Sequence, residues 1–234
     1  MIKNFLKKII DVFGYKIEKK PKKKNFFKEN NINQIIDVGA HEGGFALKSR
    51  KEGFEGKIIS FEPQSKVYLT LKENSKNDLN WIVHEKCAIG EKNSITKINI
   101  MSETQCSSIL NANEKFLDME KNHNLKNVSE EECNIYTLDY IFSNFYSLEK
   151  KTFLKIDTQG YEKLVLDGCV KTIEEIDFIQ LELSNETLYE NEHNYEYFLG
   201  FMKENNFILW DIYPFYKNDL GKLIQFDAIF QKNK

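Results

Sequence analysis

The stretch Gln34-Ile35-Ile36-Asp37-Val38-Gly39-Ala40-His41-Glu42-Gly43-Gly44-Phe45 constrains the fold of this chain more than any other. An apolar run stops at Asp37, turns through spaced glycines and resumes at helical spacing. That is the pattern of a buried strand delivering a glycine-rich loop to a helix start. Gly39 and Gly43 carry no Cβ and let a ligand approach the main chain, while the helix beyond them offers unpaired N–H groups and the positive end of its dipole. The same layout also serves as a plain strand-to-helix connection, so the residues downstream must decide between the two.

Lys57 to Phe61 reads as a second strand ending at Glu62-Pro63. Glu62 follows Gly39 by 23 residues, near the spacing of about 20 at which an acid on the second strand of a nucleotide-binding unit meets ribose hydroxyls. Ser65 to Asn77 reads as a helix with Val67, Leu69 and Leu71 toward the core, and Trp81-Ile82-Val83 begins a third strand. The small side chains of Cys87-Ala88-Ile89-Gly90 follow, where a cofactor base can lie, and Ile95 to Ile100 alternates like an added strand. Phe153 to Asp157 and Asp177 to Ser184 are further core strands, placing Asp157 and Glu182 at the ends that face a ligand crevice in a parallel sheet. Asp157 also stands where it can cap the helix from Glu162 to Asp167, which Gly168 closes. Such alternation predicts an α/β fold with a mostly parallel sheet and helices on both faces. Phe207 to Tyr213 and Leu223 to Phe230 predict an antiparallel hairpin at one edge.

Two segments stand apart from this core. Residues 102–132 are polar and irregular, as lids and substrate loops are; 111–132 reads equally well as a disordered surface insertion, before a short strand at Cys133 to Thr137. Residues 1–24 hold nine lysines against two acids in a chain whose net charge is −3. Phe5, Leu6, Ile9, Ile10 and Phe13 recur there at helical spacing, predicting a basic amphipathic helix and linker ahead of a main domain at 25–234. The helix packs on that domain or makes a weak peripheral contact with an anionic membrane. The overall charge provides no pull toward nucleic acid. Four scattered cysteines suggest neither a disulfide framework nor a zinc site. With no 18-residue apolar run and no secretory signal pattern, the expected location is the cytoplasm.

A parallel βα sheet closing on an antiparallel pair resembles the class I S-adenosylmethionine-dependent methyltransferases. The motifs are more specific. Ile36-Asp37-Val38-Gly39-Ala40-His41-Glu42-Gly43, Phe61-Glu62-Pro63, Ser107-Ser108-Ile109-Leu110 and Leu154-Lys155-Ile156-Asp157-Thr158-Gln159-Gly160-Tyr161-Glu162 resemble, in order and spacing, the FkbM-type methyltransferase family. Val165-Leu166-Asp167-Gly168, Leu181-Glu182-Leu183-Ser184, Leu188-Tyr189 and Phe226-Asp227-Ala228-Ile229-Phe230 extend the resemblance over about Gln34 to Lys232. One departure is His41, where the family usually has Asn.

The resemblance implies a Rossmann-like sheet of seven strands whose last strand is antiparallel, with S-adenosylmethionine as methyl donor. It further implies an acceptor hydroxyl on a sugar, glycan or related small molecule. By position, Asp37, Gly39, His41, Glu42, Gly43, Glu62, Ala88 and Asp157 are the candidate cofactor contacts. Ser107, Ser108, Gln159 and Tyr161 are the candidate acceptor contacts. Asp157 is the candidate base, with Glu182 beside it. No metal is required, although Asp157 and Glu182 also permit a bound Mg²⁺. A nicotinamide-dependent oxidoreductase fits the loop and Glu62 but not the glycine spacing, which is not G-x-G-x-x-G. A non-catalytic module of the same fold, docking on a glycan-assembly complex, is the other alternative.

Overall fold

The computed structural model describes residues 25–120 and 124–233. The basic amphipathic segment expected at 1–24 lies outside the described residues. In chain order the strands are β1 (Gln34–Val38), β2 (Lys57–Phe61), β3 (Trp81–Val83), β4 (Ala88–Ile89), β5 (Ser94–Met101), β6 (Asn127–Tyr136), β7 (Thr152–Ile156), β8 (Phe178–Ser184), β9 (Phe207–Lys217) and β10 (Leu223–Lys232). The helices are α1 (Phe26–Glu29), α2 (Gly44–Lys51), α3 (Ser65–Ser75), α4 (Glu114–Met119), α5 (Leu138–Asn144), α6 (Glu162–Asp167) and α7 (Tyr195–Glu204).

Seven strands form one sheet in the order β3-β2-β1-β7-β8-β10-β9. β1 runs parallel to both β2 and β7, and β7 parallel to β8, whereas β10 is antiparallel to β8 and β9. The sheet starts in its middle with β1, builds outward to β3, then crosses to β7 and builds the other way. The order therefore reverses between β1 and β7, and a crevice opens beyond their carboxyl ends. Every residue of β1 and β7 is buried, which is why both read as apolar runs interrupted only by Asp37 and Lys155. A three-stranded sheet, β4-β6-β5, packs beside the main one.

Local chemistry sets most helix starts. The side chains of Asn25, Asn113, Thr137 and Asn194 each accept a main-chain N–H at the first turn of a helix, a contact worth about 1 kcal/mol apiece. In α3, Val67 and Leu71 are buried, four residues apart on one face. Leu69, expected to join them, is 68% exposed. Two residues along a helix is more than half a turn, which carries its side chain to the opposite face.

The stretch 102–132, expected to be irregular, carries defined structure in its described part: a 3-10 turn at Thr104–Cys106, helix α4 and half of β6. Phe116 of α4 is buried against Tyr189, ring centroids 5.5 Å apart. β6 was legible only from Cys133 onward because its first half is solvated on both faces, so no apolar alternation marks it. It is held by main-chain pairing to β5 and by ion pairs such as Lys97–Glu130 at 3.0 Å.

Candidate active site

The crevice at the carboxyl ends of β1, β2, β7 and β8 and the amino end of β10 is a cavity of about 940 Å³. Its first wall is made by the β1–α2 loop. Gly39 has φ +73°, and a Cβ there would stand 1.8 Å from the carbonyl oxygen of Asp157. Only glycine allows the two chain segments to lie this close. The N–H groups of Gly39 and Ala40 donate to the Phe61 carbonyl at 3.1 and 3.0 Å, which ties the loop to the end of β2. His41 turns through φ +50° and donates its N–H to Glu62 Oε2 at 2.8 Å. Gln64 donates its N–H to Glu62 Oε1 at 2.9 Å. Both carboxylate oxygens are thus held by main chain, leaving lone pairs for a ligand. Burial pushes the Glu62 carboxyl up to about 7, against the pull of these two bonds.

A cap covers this wall from the segment after β5. Thr104 Oγ1 lies 2.9 Å from His41 Nε2, and the Thr104 carbonyl accepts from Gln64 Nε2 at 3.1 Å. Burial lowers the pKa of His41, which leaves its ring neutral near pH 7. The side-chain oxygen of Gln64, Oε1, is buried and has no hydrogen-bond partner, on a residue that lines the cavity.

The opposite wall is made of side chains from distant strands. Asp157, one residue beyond β7, donates its N–H to the Val38 carbonyl at 3.2 Å. Gln159 Nε2 donates to Asp157 Oδ1 at 3.1 Å and to Glu182 Oε1 at 2.8 Å, bridging the two carboxyl groups. Gln225 Nε2 donates to the same Glu182 oxygen at 2.8 Å. Tyr189 places its hydroxyl 3.0 Å from Gln159 Oε1. Burial and then the Asp157 charge raise the Glu182 pKa well above its ordinary value, which disfavours the ionised form of this carboxyl. Asp227, the register partner of Glu182, is pushed up to about 6 by burial and then by the Asp157 charge. Asp157 does not cap α6. Thr158 instead donates its N–H and its hydroxyl to Glu162 Oε1, at 2.7 and 3.0 Å.

The residues expected from sequence separate into three groups. Gly39, His41, Glu62, Ala88, Asp157, Gln159 and Glu182 line the one cavity. Ser107, Ser108 and Tyr161 also line it, with their hydroxyls committed inside the fold. Ser107 accepts the Met101 N–H, Ser108 donates to the Gln159 carbonyl at 2.7 Å, and Tyr161 donates to Glu91 at 2.8 Å on the Ala88 side. Asp37, Glu42 and Gly43 are not brought to the cavity wall. Asp37 is wholly buried behind the loop, and Glu42 points to solvent. Gly43 lies against Trp81, whose ring a Cβ would meet at 2.6 Å, so it serves packing. Among the described residues no group of three or more His, Cys, Asp or Glu is disposed to hold a metal.

Sequence reasoning missed Gln64, Thr104, Tyr189, Gln225 and Lys155. Lys155 had a visible signal: a lone charge inside the apolar run Phe153 to Ile156, two residues before Asp157. Its ammonium lies 2.8 Å from the Gly39 carbonyl, 3.2 Å from Asp37 Oδ1 and 3.3 Å from Asp157 Oδ2. Burial alone would lower its pKa; the charges of Asp157 and Asp37 outweigh burial and hold the ammonium above the usual lysine range.

The sheet order, with β10 as its one antiparallel strand beside a glycine loop and an acid at the tip of β2, defines the class I S-adenosylmethionine-dependent methyltransferase fold. The methyltransferase FkbM domain profile matches residues 37–209, and the chain belongs to that family. A curated relative, "Methyltransferase 1" of Beauveria bassiana (strain ARSEF 2860), is 22% identical over 142 residues, which is 57% of this chain and 57% of that protein. Solved structures with a similar fold include M. capricolum TrmK in complex with S-adenosyl-homocysteine, at TM-score 0.47 and 10% identity, covering 88% of this chain and 64% of that one. Another is a ribosomal protein L11 methylase from Lactobacillus delbrueckii subsp. bulgaricus, at TM-score 0.45 and 7% identity, covering 86% of this chain and 70% of that one. The assignment rests on the family match and the sheet topology. No helix among the described residues is long and apolar enough to cross a membrane.

Proposed function

We propose that this chain is an S-adenosylmethionine-dependent O-methyltransferase whose acceptor is a hydroxyl of a sugar, glycan or related small molecule. The observation that carries the reading is the opposition, across one cavity, of Glu62 in its main-chain cradle and Asp157 at the end of β7. The residues present fit the methyl donor: Glu62 keeps free lone pairs beside its two main-chain bonds, and Gln64 Oε1 is an unpaired buried acceptor. When bound, S-adenosylmethionine supplies an electrophilic methyl group.

The chain's own residues then divide the work. Glu62 accepts the ribose hydroxyls, and Ala88 presents a small surface to the adenine. Asp157 accepts the acceptor's hydroxyl proton as the oxygen attacks, an alignment that draws most of its rate from positioning. Gln159 fixes the Asp157 carboxylate in direction and ties it to Glu182. The test has two parts. Calorimetry with S-adenosylhomocysteine should give saturable binding, and labelled methyl should pass to members of a panel of hydroxyl acceptors. Stabilisation by NADH alone, with no heat from S-adenosylhomocysteine, would sink the reading.

A further inference from the structure

We propose that Lys155 is a positioning residue that sets the cofactor loop and Asp157 in one shared geometry; the inference rests on the methyltransferase reading above. Lys155 and Asp37 are register partners on neighbouring parallel strands. Lys155 and Asp157 lie two residues apart and so on one face of the sheet. The ammonium donates to the Gly39 carbonyl at 2.8 Å and forms ion pairs with Asp37 Oδ1 at 3.2 Å and Asp157 Oδ2 at 3.3 Å. One of them, the Gly39 carbonyl, belongs to the loop; another belongs to Asp157. A lysine that served only as counter-charge to Asp37 would need neither.

Lys155 stands at the cavity wall, between the loop and Asp157. Lys155 is 5% exposed, with its ammonium 5.8 Å from the centre of the Phe45 ring, and the Gly39 Cα is pressed against the Asp157 main chain. Through its contacts with both, the ammonium couples the position of the loop to that of the Asp157 carboxylate.

The experiment measures S-adenosylhomocysteine affinity by calorimetry on the full chain. Lys155→Met should weaken it at least tenfold. That substitution leaves the Asp37 carboxyl buried without its counter-charge, a costly state, so the double variant Asp37→Asn with Lys155→Met, which removes both charges, is measured beside it. A double variant that melts near the parent temperature but binds at least tenfold more weakly supports the positioning role. One that binds within twofold of the parent overturns it and leaves Lys155 a counter-ion of Asp37. On the unaltered chain, saturating S-adenosylhomocysteine should also shift the ¹⁵N signal of the Lys155 ammonium, and an unmoved signal overturns the proposal however the variants fold. A parent chain that binds no S-adenosylhomocysteine removes the methyltransferase reading itself.

Discussion

The two walls of the cavity are built in different ways. The β1–β2 wall is made of main chain: Gly39, Ala40, His41 and Gln64 contribute N–H groups, and Glu62 is their single carboxylate. The β7–β8–β10 wall is made of side chains, in which Asp157, Gln159, Glu182 and Gln225 arrive from three strands and form one hydrogen-bonded group. Main chain gives a wall whose shape follows from a short sequence and tolerates little change in backbone angle. Side chains give a wall whose protonation states depend on their neighbours. The first suits recognition of a constant ligand, and the second suits chemistry.

The sharpest test of this division is Asp157→Asn, which should lower methyl transfer by about 10²–10⁴-fold, the usual contribution of a positioned base. S-adenosylhomocysteine affinity should stay within about threefold by calorimetry, since Asn keeps a carbonyl oxygen for Lys155. Equal losses in both would erase the distinction between the walls. Next in size is Gly39→Ala, which adds a Cβ at φ +73° and 1.8 Å from the Asp157 carbonyl. Backbone strain of that kind alone should destabilise the fold by about 1–3 kcal/mol, and the clash adds to it. Thermal melting and calorimetry should both register the change.

Glu62→Gln should weaken S-adenosylhomocysteine by about 10- to 100-fold, the value of a hydrogen bond to a charged group. The parent's affinity should also rise with pH through about 7, where Glu62 ionises and becomes a full acceptor for ribose hydroxyls. The stability of the ligand-free chain should respond in the opposite sense. A carboxyl raised from 4.5 to about 7 contributes stability that is whole below the lower value and is lost as pH rises through the upper one. Affinity that is flat from pH 5.5 to 8.5, or Glu62→Gln affinity that rises in parallel with the parent's, would break the assignment. The smallest effect belongs to Glu42→Ala. Its side chain is exposed and off the wall, so affinity should change by less than about twofold.

Sequence alone determined the strand–loop–helix at Asp37 to Gly44, the acid at Glu62, the acid at Asp157 and the hairpin from Phe207, because buried strands, glycine turns and chain breaks leave local patterns. It turned Leu69 toward the core where the structure turns it to solvent, since position along a helix converts to direction only through its neighbours. Tertiary structure alone decided that Asp37 sits behind the loop rather than in it, and that Lys155 joins Gly39 to Asp157. It also decided that Gln159 bridges Asp157 and Glu182. Partners such as Gln225 and Tyr189 lie 43 and 30 residues from the groups they touch. A hydrogen bond between such residues costs chain entropy that only the assembled sheet offsets, and nothing in the local pattern records it.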